Sequence, residues 1–267
     1  MVGYFLGIHT DGFGFSWRTF GLVVVCMVLA RSAAMAFNRY LDRDIDLKNP
    51  RTAQREIPAG IISPKSALSF VIICSALFML TTWFINPICF YLSPVALSVT
   101  LGYSYTKRFS GLCHFVLGLG LALAPIGAYL AVTGKFDLAP LFYSGAVLFW
   151  VGGFDIIYAL QDENFDKENN LFSVPVKFGK EKALTISIIS HLISASFMIG
   201  GSYLVFQNYA PMNLLQWGGL AIFLGLLINQ HRLVKPNDLS KINLAFFTTN
   251  GIASVVFGLL FVLDFYV

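Results

Sequence analysis

Residues 20–46 read Phe20-Gly-Leu-Val-Val-Val-Cys26-Met-Val-Leu-Ala-Arg31-Ser-Ala-Ala-Met-Ala-Phe-Asn38-Arg-Tyr-Leu-Asp42-Arg-Asp44-Ile-Asp46, an apolar run that passes without a breaker into an acidic end. Such a segment is a helix that begins in hydrocarbon and ends in water. The rest of the chain is built in the same way. Of its 267 residues 57% are hydrophobic and 12% charged, against roughly 25% charged in an average soluble protein, and mean hydropathy is +0.71. So little polar surface excludes a soluble domain and makes the lipid bilayer the solvent. Apolar runs set apart by charge and breaker clusters predict eight helices, at 15–40, 63–85, 88–106, 111–134, 140–162, 181–206, 212–231 and 242–265, after a short apolar stub. The expectation is an all-α polytopic membrane protein with a single domain, 1–267, and no nucleic-acid partner. The sequence leaves the oligomeric state open.

Charge placement orients it. Of the 18 Lys and Arg residues, 15 fall in or beside the alternate loops around 39–65, 107–108, 167–182 and 232–241. Arg18 and Lys135 fall on the other side, and Arg31 lies inside a helix. Positively charged loops stay in the cytoplasm, so these four are expected to face it, in the bacterial inner membrane. Two of them, 41–62 and 163–180, are long for a compact bundle, and long ordered loops are usually functional.

An internal repeat joins these two caps. Asn38-x3-Asp42-x3-Asp46 and Tyr158-x3-Asp162-x3-Asp166 superimpose at an offset of 120 residues, each followed by a Pro- and Gly-marked loop that ends at Gly60 or Gly179. The expectation is two pseudo-repeated halves, about 15–134 and 140–265, with one site between them. At about 100° per residue, Arg31, Asn38, Asp42 and Asp46 share one helical face and Asp44 leaves it; Asp155, Tyr158, Asp162 and Asp166 share another.

Carboxylates stacked one turn apart repel. Something positive must sit between them. Hard oxygen ligands from two facing helices, open to water at one end, suit Mg²⁺, which keeps waters and shares its shell with substrate phosphates. The spacing therefore predicts a metal-bridged diphosphate, with Arg43, Arg51, Arg55, Lys107 and Arg108 covering the remaining oxygens. Asp155 lies about two turns deeper than Asp162, where a carboxylate is a functional candidate by default. Arg31, about 10 Å from the metal motif at ~1.5 Å per residue, is placed to anchor an acceptor carboxylate, unless Asp155 neutralises it. Asp44, Glu56, Glu163 and Glu168 read as ordinary loop charges. His114, His191 and His231 share no ligand spacing and read as packing residues, as do the four dispersed cysteines and the helix bearing Gly118, Gly120, Pro125 and Gly127.

Two signatures, together with Asn49-Pro-Arg-Thr-Ala-Gln-Arg-Glu-Ile-Pro-Ala-Gly60, Leu171-Phe-Ser-Val-Pro-Val-Lys-Phe-Gly179 and Tyr105-Thr-Lys-Arg-Phe109, occur in order. With them the chain resembles the UbiA superfamily of intramembrane prenyltransferases. It looks most like the 4-hydroxybenzoate polyprenyltransferase branch, and Ala30–Asn38 and Leu244–Gly251 favour its relatives in the futalosine route to menaquinone. The resemblance implies a UbiA-type helical bundle and Mg²⁺-dependent transfer of a polyprenyl group from its allylic diphosphate to an aromatic acid, 4-hydroxybenzoate or a dihydroxynaphthoate. It implies two Mg²⁺ on Asp42, Asp46, Asp162 and Asp166, with Asn38 assisting at the diphosphate. Asp155 and Tyr158 would serve the chemistry, Tyr158 by offering its ring face to the allylic cation. Two departures stand out: the first helix is cut to about Met1–Ile8, which coding sequence upstream would lengthen, and Asn170 stands where Gly is usual. Rival readings are a repeat-built transporter, which the clustering of acids at one face disfavours, and a CDP-alcohol phosphotransferase, whose Asp-Gly-x2-Ala-Arg element is absent.

Overall fold

The computed structural model describes residues 1–209 and 214–267. In order the helices are α1 (Val2–Ile8), α2 (Trp17–Lys48), α3 (Pro64–Trp83), α4 (Pro87–Thr106), α5 (Cys113–Thr133), α6 (Leu138–Ala159), α7 (Glu163–Glu168), α8 (Val174–Asn208), α9 (Leu215–Leu233) and α10 (Asn250–Leu263). A 3₁₀ turn, Leu160–Asp162, joins α6 to α7, and a π-helical stretch, Leu244–Thr249, leads into α10. Local chemistry sets the starts. Ser16, Ser63, Asn86, Asp137 and Ser173 each accept a backbone N–H of the first turn, and prolines open α3, α4 and α8, where the missing N–H has no partner to lose.

Among the described residues, seven helical spans are long and apolar enough to cross a membrane, one of them the π-helical stretch together with α10. The expected eighth, α9, is one of the described helices but stays outside that set, because Gln216, Asn229, Gln230, His231 and Arg232 lower its hydropathy. The first two residues of the span expected at 212–231 lie outside the described residues. α6 packs between α5 and α8, α2 pairs with α3, and α9 with α10. At Gly118 a Cβ would stand 2.3 Å from the Leu148 carbonyl oxygen, so glycine is what lets α5 and α6 approach. Ser187 and Ser194 donate across to the Gly153 and Ala146 carbonyls at 2.7 and 2.8 Å, tying α8 to α6.

The stub α1 is a packed element: Tyr4 and Leu6 are fully buried, and it lies against α5 so closely that a Cβ on Gly3 would strike the Pro125 carbonyl. Two expected boundaries move. α2 runs on through Lys48, so the first cap begins at Asn49 rather than 41, since nothing in Leu41–Lys48 breaks a helix before Pro50. The cap expected at 163–180 holds α7 and the first turn of α8, and α8 is broken at Gly179, with φ 76° and ψ 167°. Gly60 also has positive φ, 74°, so both caps close on a glycine that turns left-handed. Asn170 adopts φ 54°. Asn tolerates that region better than most residues, which is how it keeps a glycine-type turn.

Candidate active site between the two acidic motifs

The two motifs meet at one end of the bundle, and three of their four carboxylates are met by a cation. Asp42, 1% exposed, accepts from Asn38 Nδ2 at 3.0 Å, Lys107 Nζ at 2.5 Å and Arg108 at 3.2 Å. Asp46, 4% exposed, takes both its oxygens to Arg55 at 2.9 and 2.8 Å. Asp162 is reached from the other motif's cap: Asn49 Nδ2 donates to it at 3.2 Å, and Arg51 grips it through Nε at 3.1 Å and a terminal nitrogen at 2.5 Å. Arg51 also donates to the Tyr158 hydroxyl at 3.2 Å and lies 5.5 Å from the centre of its ring. Burial alone would lower the Arg51 guanidinium; the hydrogen bonds and charge of Asp162, with Tyr158 and Asp46, outweigh it and hold the group above its ordinary range. Asp166, half-buried, sits one turn beyond Asp162 on α7.

Several expected residues fall elsewhere. Arg43 folds back on its own helix, donating to the Tyr40 carbonyl at 2.7 Å, stacking 4.8 Å from the Tyr40 ring and facing exposed Asp44 at 3.7 Å. It touches none of the four carboxylates, because it stands about 100° from Asp42 around the helix. The single face drawn through Asp155, Tyr158, Asp162 and Asp166 is interrupted, since α6 ends at Ala159 and a 3₁₀ turn carries Asp162. Arg31 is exposed on α2 and makes no ion pair or hydrogen bond among the described residues. It does not pair with Asp155. That carboxylate is held by His114 Nδ1 at 2.7 Å, so His114 is a partner of the site and not a packing residue. The two lie 41 positions apart, a distance no local spacing reveals. His191 and His231 keep an internal role, but they contact each other at 2.8 Å. Tyr158 does not present a bare ring: Phe246, delivered by the π-helical stretch, stacks on it at 4.1 Å, and Arg51 stands over it.

As disposed, no three carboxylate, histidine or cysteine groups among the described residues stand close enough to cage a metal. The donor set nevertheless fits Mg²⁺. All four candidates are hard oxygen ligands, and three are balanced only by flexible Lys and Arg side chains able to turn to phosphate oxygens. Mg²⁺ is characteristically held by one or two carboxylates plus substrate phosphates rather than by a closed protein cage. Deeper in the bundle lies an apolar cavity of about 560 Å³, lined among others by Met27, Trp150, Met198, Phe223 and Phe257. Site and cavity together can hold a charged head at one end and a hydrocarbon tail at the other.

Known proteins resemble this chain in sequence and in fold. The model of the UbiA prenyltransferase family matches residues 2–252. The 4-hydroxybenzoate octaprenyltransferase of Aliivibrio fischeri strain MJ11 is 30% identical over 246 residues, covering 90% of this chain and 82% of that protein. The enzyme of the same name from Nitrosospira multiformis is 30% identical over 237 residues, 89% and 80% of the two chains. Among solved structures, the apo form of a UbiA homolog from Aeropyrum pernix K1 superimposes with a TM-score of 0.86 at 27% identity, over 98% of this chain and 95% of that one. A UbiA homolog from Archaeoglobus fulgidus, solved with GPP and Mg²⁺, shares the fold at a TM-score of 0.71 and 20% identity, over 100% and 93%. With its family model covering nearly the whole sequence and relatives matching over most of both chains, this chain belongs to the UbiA prenyltransferase family.

Proposed function

We propose that the chain transfers a polyprenyl group from an allylic polyprenyl diphosphate to an aromatic acid of the 4-hydroxybenzoate or dihydroxynaphthoate class, in the synthesis of a respiratory quinone. The reaction class and acceptor follow the relatives, named as 4-hydroxybenzoate octaprenyltransferases. The observation that carries the reading is the reach of Asn49 and Arg51, from the cap of the first motif, to Asp162 in the second. It makes one polar site of two sequence motifs. Asp42, Asp46, Asp162 and Asp166 are the residues that would hold Mg²⁺. When bound, the metal would supply the charge that draws off the leaving diphosphate.

The chain's own groups do the rest. Lys107, Arg108, Arg55 and Arg51, with Asn38 beside Asp42, turn donors to the diphosphate oxygens as negative charge grows there. The allylic carbon–oxygen bond breaks with its electron pair going to the diphosphate, the acceptor ring forms the new carbon–carbon bond, and the ring then loses a proton. Tyr158, held by Phe246 and Arg51, offers ring surface to the cationic carbon only once Arg51 turns to the diphosphate. Arg31 binds the acceptor carboxylate. The prenyl tail occupies the apolar cavity, whose walls exclude the water that would quench the cation. The caps face the cytoplasm of the bacterial inner membrane, as the bias of positive charge implies.

The test is prenyl transfer by purified protein in lipid nanodiscs, read by mass spectrometry. Prenylated 4-hydroxybenzoate or dihydroxynaphthoate is expected with Mg²⁺ and none with excess EDTA. Product formed equally well with EDTA, or only from a neutral phenol, overturns the reading.

A further inference from the structure

The turn that brings Phe246 onto Tyr158 is not α-helical. Leu244–Thr249 is wound as a π-helix, a rare geometry that persists where neighbouring groups hold it. Here three successive carbonyls of the stretch each take a side-chain donor: Leu244 O from Thr249 Oγ1 at 3.1 Å, Ala245 O from Gln230 Nε2 at 2.8 Å and Phe246 O from Asn250 Nδ2 at 2.8 Å. Asn250 is the node. Its Oδ1 accepts from Gln230 Nε2 at 2.5 Å and from the Trp150 indole at 3.1 Å, so one buried amide joins α6, α9 and the π turn. A carbonyl can only accept, so Ala245 fixes which end of the Gln230 amide faces it. Gln230 is fully buried, and its Oε1 has no partner among the described residues. A leucine there would avoid that cost, so what the position uses is the donor.

What the stretch holds is an aromatic wall. Phe246 stacks on Tyr158 at 4.1 Å with 28° between the planes, Phe247 meets the same ring edge-on at 6.0 Å, and Phe154 closes on Phe246 at 5.3 Å. The far side of the turn is anchored, since Phe257 and Phe261 of α10 are buried in the core. Were the π turn to relax to α-helical winding against that fixed helix, Phe246 would swing by about 100°, the step of one residue, and leave Tyr158. We infer that Asn250 and Gln230 are positioning residues for the proposed prenyl transfer: by holding the π turn they keep Phe246 on one face of Tyr158 and so keep water from the allylic cation at the other. The inference rests on the reading of Tyr158 given above, and neither residue touches a reacting atom. With the wall intact, the cationic carbon forms its new bond to the acceptor ring. With the wall open, a water oxygen forms that bond instead, a proton of the water passes to solvent, and prenol leaves with the diphosphate.

The experiment measures, by mass spectrometry on the nanodisc-embedded protein, the ratio of prenylated acid to prenol formed from one diphosphate, with hydrolysis in protein-free nanodiscs subtracted. Asn250→Leu should move that ratio about tenfold toward prenol, the worth of one cation–ring contact, with the prenyl diphosphate KM within about twofold of wild type. Gln230→Met keeps the volume without the donor, should move the ratio the same way, and decides the matter if Asn250→Leu does not fold. Phe246→Leu should produce the same shift. Adding Asn250→Leu to it should then add nothing, because both act through one ring. Residues that merely support the fold would lower turnover and thermal stability without touching the ratio, and their effects would add to that of Phe246→Leu. A ratio unchanged in either folded variant, or fully additive effects, overturns the inference and leaves the proposed function standing. A wild-type chain that forms no prenylated acid overturns both.

Discussion

The two acidic motifs occupy unlike settings. Asp42 and Asp46 sit on one unbroken helix, nearly sealed from solvent, with partners on α2, just past the end of α4 and in the first cap. Asp162 and Asp166 follow a helix that has ended at Ala159, on a 3₁₀ turn and a short α7; both are half-buried, and Asp162 is held by Asn49 and Arg51 from the other motif's cap. One motif is a buried floor and the other a half-buried wall. In the proposed reaction the half-buried side is the more open to a diphosphate arriving from solvent.

The sharpest way to break this comparison is at the floor. Asp42→Asn should lower turnover by at least about 10²-fold, the scale of losing a key electrostatic contact in the transition state, because Lys107 and Arg108 then lose the charge that orients them. Asp44→Asn, two residues on but 81% exposed, should leave turnover within about twofold. Equal losses in steady-state assays would refute the helical-face argument. Next comes the latch. Arg51→Gln should raise the prenyl diphosphate KM about tenfold, the worth of a charged hydrogen bond, and speed proteolysis within 49–63 in the ligand-free protein. Unchanged cleavage would mean the caps do not depend on Arg51.

A smaller contrast sets Arg43 against Lys107. Arg43→Gln, facing Tyr40 and Asp44, should change kinetic constants less than about twofold, while Lys107→Gln should weaken diphosphate binding clearly. The smallest concerns the turn before the second signature segment. Asn170→Ala, at φ 54°, should cost about 1 kcal/mol of stability, and Asn170→Gly should cost nothing, as thermal unfolding in detergent would read out.

How much of this was legible in the sequence follows from the range of each signal. Helix positions were readable to within a few residues because an apolar run and its Ser, Asn or Pro boundary are local features. The run of α2 to Lys48 is hidden in the sequence because the apolar pattern stops where the charges begin, although Leu41–Lys48 contains no breaker. The first motif's face held, with Asn38 bonded to Asp42. The second failed because a 100° rotation per residue presumes a continuous helix. Arg43 could have been set aside by the same angle that removed Asp44. His114 could not have been found, since its partner lies 41 residues on and its second bond is to a backbone N–H. The short α1 was visible as a stub, but its burial against Pro125 depends on tertiary contact.

The most direct test of one site shared by two unlike motifs is Mn²⁺ binding followed by electron paramagnetic resonance, with and without an unreactive prenyl thiodiphosphate. The expected result is metal binding that tightens markedly with the analogue and is lost in Asp42→Asn and in Asp162→Asn alike. Retention of full analogue-dependent binding after either substitution would contradict it, because the site would then belong to one motif alone.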